Sequence, residues 1–445
     1  YVVNFNIRSD GANKFGSNPK YRWLPTWSVA GKWMMTQEHF LEDFAEKGHF
    51  IAFRGSYGIQ GNIHDDATPH LILEVGNRHD VSNLEQSTIY RLPNPDLRWE
   101  KTYSWNVAAD FSFWDGRLSG SFDVYKKRIE DLIMDKTVAS SNGKSRLYMN
   151  GGEMTNQGFE GNLSVQIIRN KNWNWNFNVN FGRNTSEVTL ANEEMYSDME
   201  IINEMLSGNL VVVGEKLGTM YSYRYGGLSG ENGYPLFYGK DGQLWHRGDP
   251  RRMELVKSGS IFPDLSGGFD TQLTFRKRLS LSLGFSYNLG GVVRLPKVYA
   301  DKYRALTPTE NVSTNWNRRW RRPGDEQFTD IPVLYNNNFA SELPKNVGTF
   351  DTNETLSLEE SSYFYDLSDY RVTKGNFLRL RMIGLSYAVP EKGLKRLGIS
   401  SMMLRFQATN LHVWANKDWQ GLDPETSGAN IPLLPSYSLG VNVTF

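Results

Sequence analysis

Apolar and polar residues alternate along much of this chain with a period of two. At its C-terminal end Tyr437, Leu439, Val441, Val443 and Phe445 interleave with Ser438, Gly440, Asn442 and Thr444. From Trp173 to Phe181 every odd position is aromatic or Val and every even position is Asn. Leu279, Leu281, Leu283, Phe285 and Tyr287 alternate with Ser280, Ser282, Gly284 and Ser286. Successive side chains on a strand point to opposite faces, so each stretch carries one apolar and one polar face. A strand standing between lipid and a wet lumen needs that pattern. Twelve long strands are predicted, near 1–9, 26–36, 50–61, 100–114, 117–134, 154–169, 172–188, 264–276, 278–291, 375–389, 400–414 and 435–445. Tilted strands of about nine residues cover an apolar band of about 25 Å. The phase switches midway through 375–389 and 400–414, which predicts a bulge in each.

The connections alternate in length. Asp115-Gly116, Arg169 to Asn172, Arg276 to Arg278 and Pro390 to Gly398 are short. The Gln37–Gly48 link has room for one or two helical turns ending at Gly48. The segments 10–25, 62–99, 135–153, 189–263, 292–374 and 415–434 are long. With Phe445 at the periplasmic end, every long segment falls outside and every short turn inside, as in outer-membrane barrels. The predicted fold is all-β, a transmembrane antiparallel barrel wall with 1–445 as one barrel portion and long extracellular loops near 62–99, 189–263 and 292–374. A soluble propeller or sandwich is the alternative, but its strands are shorter and its loops rarely reach such lengths.

Composition removes several classes. The 445 residues hold 49 Lys+Arg and 49 Asp+Glu, so no net charge argues for nucleic acid as a partner. With no Cys, disulfides, zinc-thiolate sites and cysteine nucleophiles are out of reach. Mean hydropathy is −0.52 and no run of 18 apolar residues occurs, so no transmembrane helix is expected, a test that strand-built membrane proteins pass unseen. Tyr1 opens inside an alternating stretch without Met or signal peptide, which predicts an N-terminus that is processed or incomplete.

Several stretches carry a family signature. Asp10-Gly11-Ala12-Asn13-Lys14-Phe15-Gly16, with Trp23-Leu24-Pro25-Thr26-Trp27-Ser28 after it, resembles an early-barrel motif of SusC/RagA-type TonB-dependent transporters. Arg54-Gly55-Ser56-Tyr57-Gly58, Trp99-Glu100-Lys101-Thr102, Asp131-Leu132-Ile133 and Asn156-Gln157-Gly158-Phe159-Glu160 are similar to later ones. So are Gly214-Glu215-Lys216-Leu217-Gly218, Pro263-Asp264-Leu265-Ser266-Gly267-Gly268, Asn376-Phe377-Leu378-Arg379, Thr409-Asn410-Leu411 and Gly421-Leu422-Asp423-Pro424-Glu425. The anchors run in family order over nearly the whole chain.

The resemblance implies the C-terminal part of a 22-stranded barrel, with about 12 strands here. The plug, the TonB box and the N-terminal remainder of the transporter would stand outside this sequence. It implies the outer membrane of a Gram-negative, Bacteroidetes-like bacterium and TonB-dependent import of a bulky glycan or oligopeptide cargo. A SusD-like surface lipoprotein would cover the mouth, and the TonB complex would act through the plug. The alternatives are a self-contained, passive twelve-stranded pore and a structural or adhesive surface protein.

No catalytic constellation is present and no enzyme, cofactor or metal is expected. The seven histidines form no H-E-x-x-H, and no G-x-S-x-G or phosphate loop occurs. His64-Asp65-Asp66 with His70 comes nearest to a metal cluster, and a solvated loop is the simpler reading. The 239–249 stretch has too few alternating oxygen ligands for calcium. The most suggestive feature is Trp316-Asn317-Arg318-Arg319-Trp320-Arg321-Arg322. Trp faces stack on sugars and Arg forks bind carboxylates or carbonyls, while loop packing is the plain alternative. Trp245, Tyr234 and Tyr238 invite the same reading. Trp316, Trp320, Tyr335, Tyr363, Tyr365 and Tyr370 beside the Arg cluster predict an ordered loop that docks a lid protein. Trp27, Trp33, Trp105, Trp173, Trp175 and Tyr437 fit an interfacial girdle. Phe445, with the aromatic and aliphatic row from Tyr437, resembles the assembly signal read by outer-membrane insertion machinery.

Overall fold

A computed structural model describes residues 1–15, 19–65, 68–78, 82–191, 198–298, 314–334, 343–346, 361–394, 398–419, 421–426 and 432–445. Twelve strands form one sheet, each hydrogen-bonded to its neighbours in chain order. They are β1 (Val2–Gly11), β2 (Trp23–Trp33), β3 (Phe50–Asn62), β4 (Glu100–Phe113), β5 (Leu118–Thr137) and β6 (Arg146–Arg169). The second half comprises β7 (Trp173–Leu190), β8 (Leu265–Phe275), β9 (Leu279–Leu289), β10 (Phe377–Ala388), β11 (Ser401–Ala415) and β12 (Ser436–Thr444). All pairs are antiparallel. The sheet is open. β1 and β12 are its edges, and the edge rows Val3, Phe5, Ile7 and Tyr437, Leu439, Val441 are exposed. A twelve-stranded barrel closed on itself is therefore not what these strands form.

Register sorts the side chains into two faces. Trp27 meets Tyr57 at 5.6 Å, Phe122 meets Phe159 at 5.9 Å, and Phe269 stacks on Phe285 at 4.6 Å. On the opposite face Arg54 forks onto Asp110, which Lys32 also reaches, and Asp123 lies beside them. Farther along, the Ser164 hydroxyl donates to Asn178, whose amide donates to Asp270. One face is thus a belt of rings and aliphatic chains and the other a hydrogen-bonded polar lining.

Both phase switches are bulges. The pairing of β10 with β11 slips between Leu380 and Met382, where Asn410 takes φ 54°. One boundary expectation needs correction. The 135–153 segment is mostly strand, with β5 reaching Thr137 and β6 starting at Arg146. Register shifts near Ile129, Leu132 and Glu153, with Asp131 at φ 60°, break the alternation and hide the continuity. β2 also starts earlier than expected, at Trp23. Its Pro25 pairs with Ser9 on β1, above the point where pairing to β3 begins, so the missing N–H costs no ladder bond on that side.

A 3₁₀ turn, Met35–Gln37, leads into the Gln37–Gly48 link, which holds a second, His39–Leu41, and a short helix, Glu42–Glu46, closed by Gly48 at φ 76°. At the opposite, long-connection end, Phe15, Leu24, Leu97, Trp99 and Ile133 form a small core under the first loops.

Candidate functional site

The segments between β7 and β8 and between β9 and β10 build one body together. A helix, Asp198–Ser207, and short antiparallel pairings, Thr219–Tyr223 with Leu255–Ser260 and Tyr225–Leu228 with Pro235–Tyr238, come from the first. The second adds Ser361–Asp366 and Val292–Arg294. Their shared core contains Ile202, Leu206, Tyr223, Phe237, Met253, Val298, Phe364 and Tyr365. Burial, with Tyr365 and Asp330 nearby, pushes the Tyr225 phenol far above its ordinary value. The backbone N–H of Tyr225 donates to Asp369 at 3.0 Å. Arg294 pins the two segments, donating to the carbonyls of Leu206, Tyr221 and Ser368 at 3.1, 3.0 and 3.3 Å. Its burial lowers its pKa to about 10.

The Trp/Arg motif lies on this body. Trp320 is buried, its indole N–H donates to Glu326 at 3.1 Å, and its ring lies against Gly233. Gly233 has φ 70°, and a Cβ there would sit 2.3 Å from the Trp320 ring, so only glycine leaves room. Trp316 is half-buried, with the Arg319 guanidinium 3.6 Å from its ring centroid. Arg318 donates to Asn315 at 2.6 Å and Arg321 to the Asn317 carbonyl at 3.0 Å, both on the exposed side. Trp245 reaches Asp241, and the Arg224 guanidinium lies 4.3 Å from the Tyr238 ring centroid. The motif is thus divided between packing, at Trp320, and an exposed rim at Arg318, Arg321 and Arg322. Phe328, 88% exposed on the same rim, carried no sequence signal beyond being one apolar residue in a polar stretch. Tyr335 and Asp66 lie outside the described residues. His64 packs on Tyr148, Asp65 binds Lys14 at 2.8 Å, and no cluster of three metal-binding side chains occurs among the described residues.

Below the body, a cavity of about 790 Å³ opens on the polar face of β5–β8. Asp123, Tyr125, Glu160, Asn162, Asn180 and Lys216 line it. Gly158 makes space for the Tyr125 phenol, whose oxygen would be 2.6 Å from any Cβ there. The last loop is clamped separately: Arg379 of β10 forms a buried ion pair with Asp423 and a second ion pair with the exposed Glu425, and Asp423 also accepts the Leu433 N–H. Carboxylates, amides and one ammonium around a polar cavity can hold a polar solute by hydrogen bonds.

The comparisons agree with this architecture. A family described as "TonB dependent receptor-like, beta-barrel" matches residues 2–285. TonB-dependent receptor P3 of Formosa agariphila is 25% identical over the whole chain, and TonB-dependent receptor SusC of Bacteroides thetaiotaomicron is 26% identical. These matches cover 44% and 42% of the two relatives, so the chain spans under half the length of the curated relatives it matches. The solved RagAB peptide transporter superposes over the whole chain and 46% of its own, at 23% identity and a TM-score of 0.76, which is a likeness of fold. The sheet, its two faces and these matches together show that the chain belongs to the TonB-dependent receptor β-barrel family.

Proposed function

We propose that this chain supplies wall and outer loops to an importer that carries a bulky polar solute, an oligopeptide or a glycan, across the outer membrane of a Gram-negative, Bacteroidetes-like bacterium. A SusD-like lipoprotein covers the mouth, and TonB supplies the energy through a plug. No bond of the cargo is made or broken. The observation that carries the reading is the packed body that the described residues of two long loops form, together with a polar cavity in the wall. Family membership supports the coupling, and the SusC and RagAB relatives support the lid and the class of cargo.

The lid is expected to dock on the exposed rim. Trp320 is committed to packing, so the discriminating variant is Phe328→Ser with Arg321→Ala and Arg322→Ala, which spares the loop core. The test uses cells expressing the intact protein with labelled oligopeptide and oligosaccharide mixtures. Uptake of one class that ceases when TonB is deleted supports the reading, and uptake indifferent to TonB leaves a passive pore in its place. Loss of the co-purifying lipoprotein from the triple variant, with barrel yield unchanged, places the docking surface; unchanged co-purification removes it.

A further inference from the structure

The apolar face carries charge in one region only. On β1–β3 and β8–β12 the residues in register with its aromatic belt are uncharged, save for His412 on β11. On β4–β7, beyond Trp105, Val124, Phe159 and Phe181, the same face becomes charged, with Lys101, Lys126, Arg128 and Arg183 among Glu130, Glu153 and Glu187. Lys101 is paired with Asp131, and Arg128 with Glu130 and Glu153. Lys126 and Arg183 are exposed and have no acidic partner among the described residues. Register sets Lys126 beside Trp105 and Gln157, and Arg183 beside Phe159. The two lie two strands and two residues apart, about 12 Å between Cα atoms at ordinary sheet spacings. Long side chains from both can therefore converge on one headgroup, with the Phe122–Phe159–Phe181 row below it.

We propose that Lys126 and Arg183 form a docking site for a phosphate-bearing lipid of the leaflet on the long-loop side, its acyl chains lying on Phe122, Phe159 and Phe181 and its phosphate bridging the two cations. The site rests on the membrane placement given under Proposed function. Charge complementarity selects the occupant: two unneutralised cations at the upper border of an apolar belt match an amphiphile with an anionic head. A free phosphate would leave the ring row uncovered, and an acidic protein would have to reach below the rim of the wall.

The test is native mass spectrometry of the intact protein in neutral detergent, titrated with phosphatidic acid or with diacylglycerol of the same acyl chains. Near a membrane surface each basic side chain gives an anionic partner about fivefold, so the pair is expected to favour phosphatidic acid roughly 30-fold. Lys126→Gln and Arg183→Gln should each lose about fivefold and the double variant the whole preference. Lys127→Gln removes an equal charge from the adjacent position on the opposite face and should change nothing. Equal binding of the two lipids, equal loss in Lys127→Gln, or displacement by excess inorganic phosphate alone overturns the proposal. Recovery of the folded protein in the outer-membrane fraction is measured in the same cells. Its absence sinks the membrane placement, and its presence without phosphate preference sinks only the lipid site.

Discussion

At the scale of single residues, alternation assigns each side chain to a face, and register carries the assignment across neighbouring strands. Val179 is level with Leu163 and Phe269 on the apolar face, while Asn178 bonds Ser164 and Asp270 on the polar one. Val179→Arg is expected to cost about 2–4 kcal/mol in reversible unfolding from bilayers and Asn178→Arg far less; equal losses would mean that the faces or their environment are misassigned. Trp320→Ala should loosen the loop body by about 3 kcal/mol, read as faster amide exchange across the loop body with the wall unaffected. The sequence pointed to the Trp/Arg cluster but could not divide it. Which Trp is buried depends on Gly233, 87 positions away in the chain, and no periodicity links the two. Phe328 was missed for the converse reason, since a lone apolar residue among polar ones looks the same exposed or buried.

At the scale of elements, all twelve strands were legible because lipid and lumen impose opposite demands on adjacent residues. What failed was continuity through irregular backbone. Asn410 and Asp131 stand at positive φ where a strand shifts register, and past such a point the odd and even positions exchange faces. In β10 and β11 the exchange was readable because regular pattern resumes on both sides. Around the junction of β5 and β6, two shifts in their own pairing and one in the pairing of β6 with β7 left nothing regular to read. The last element yields its own prediction. Phe445 ends an edge strand whose residues are exposed throughout, so it has no packing role among the described residues. Deleting Phe445 should reduce the heat-modifiable folded form in the outer membrane while leaving synthesis unchanged; an undiminished folded yield would deny it a part in assembly.

At the scale of the molecule, the open sheet exposes two edges whose backbone groups need partners in hydrocarbon, at several kcal/mol for each one left bare. The loop body adds a pH dependence. His246 is buried, and a carbonyl partner, Pro235 O at 3.3 Å, fixes the proton on its Nδ1. Burial lowers its pKa from the ordinary 6.5, so the unfolded loop takes up a proton that the folded loop refuses. Loop stability should be full above pH 6.5 and decline as pH falls below it, with His246→Gln flattening the profile in amide exchange; a wild-type profile flat between pH 5 and 7.5 would contradict this. The way the body is stitched together also sets a timetable. Its two halves enter from either side of the β8–β9 hairpin, and the bond from Tyr225 to Asp369 spans 144 positions. Closing so long an interval is entropically unfavourable until the intervening strands stand in line. The outer body therefore completes after the wall beneath it, and a chain still being inserted presents Tyr223, Phe237 and Phe364 to water, a window in which a periplasmic holdase has something to grip.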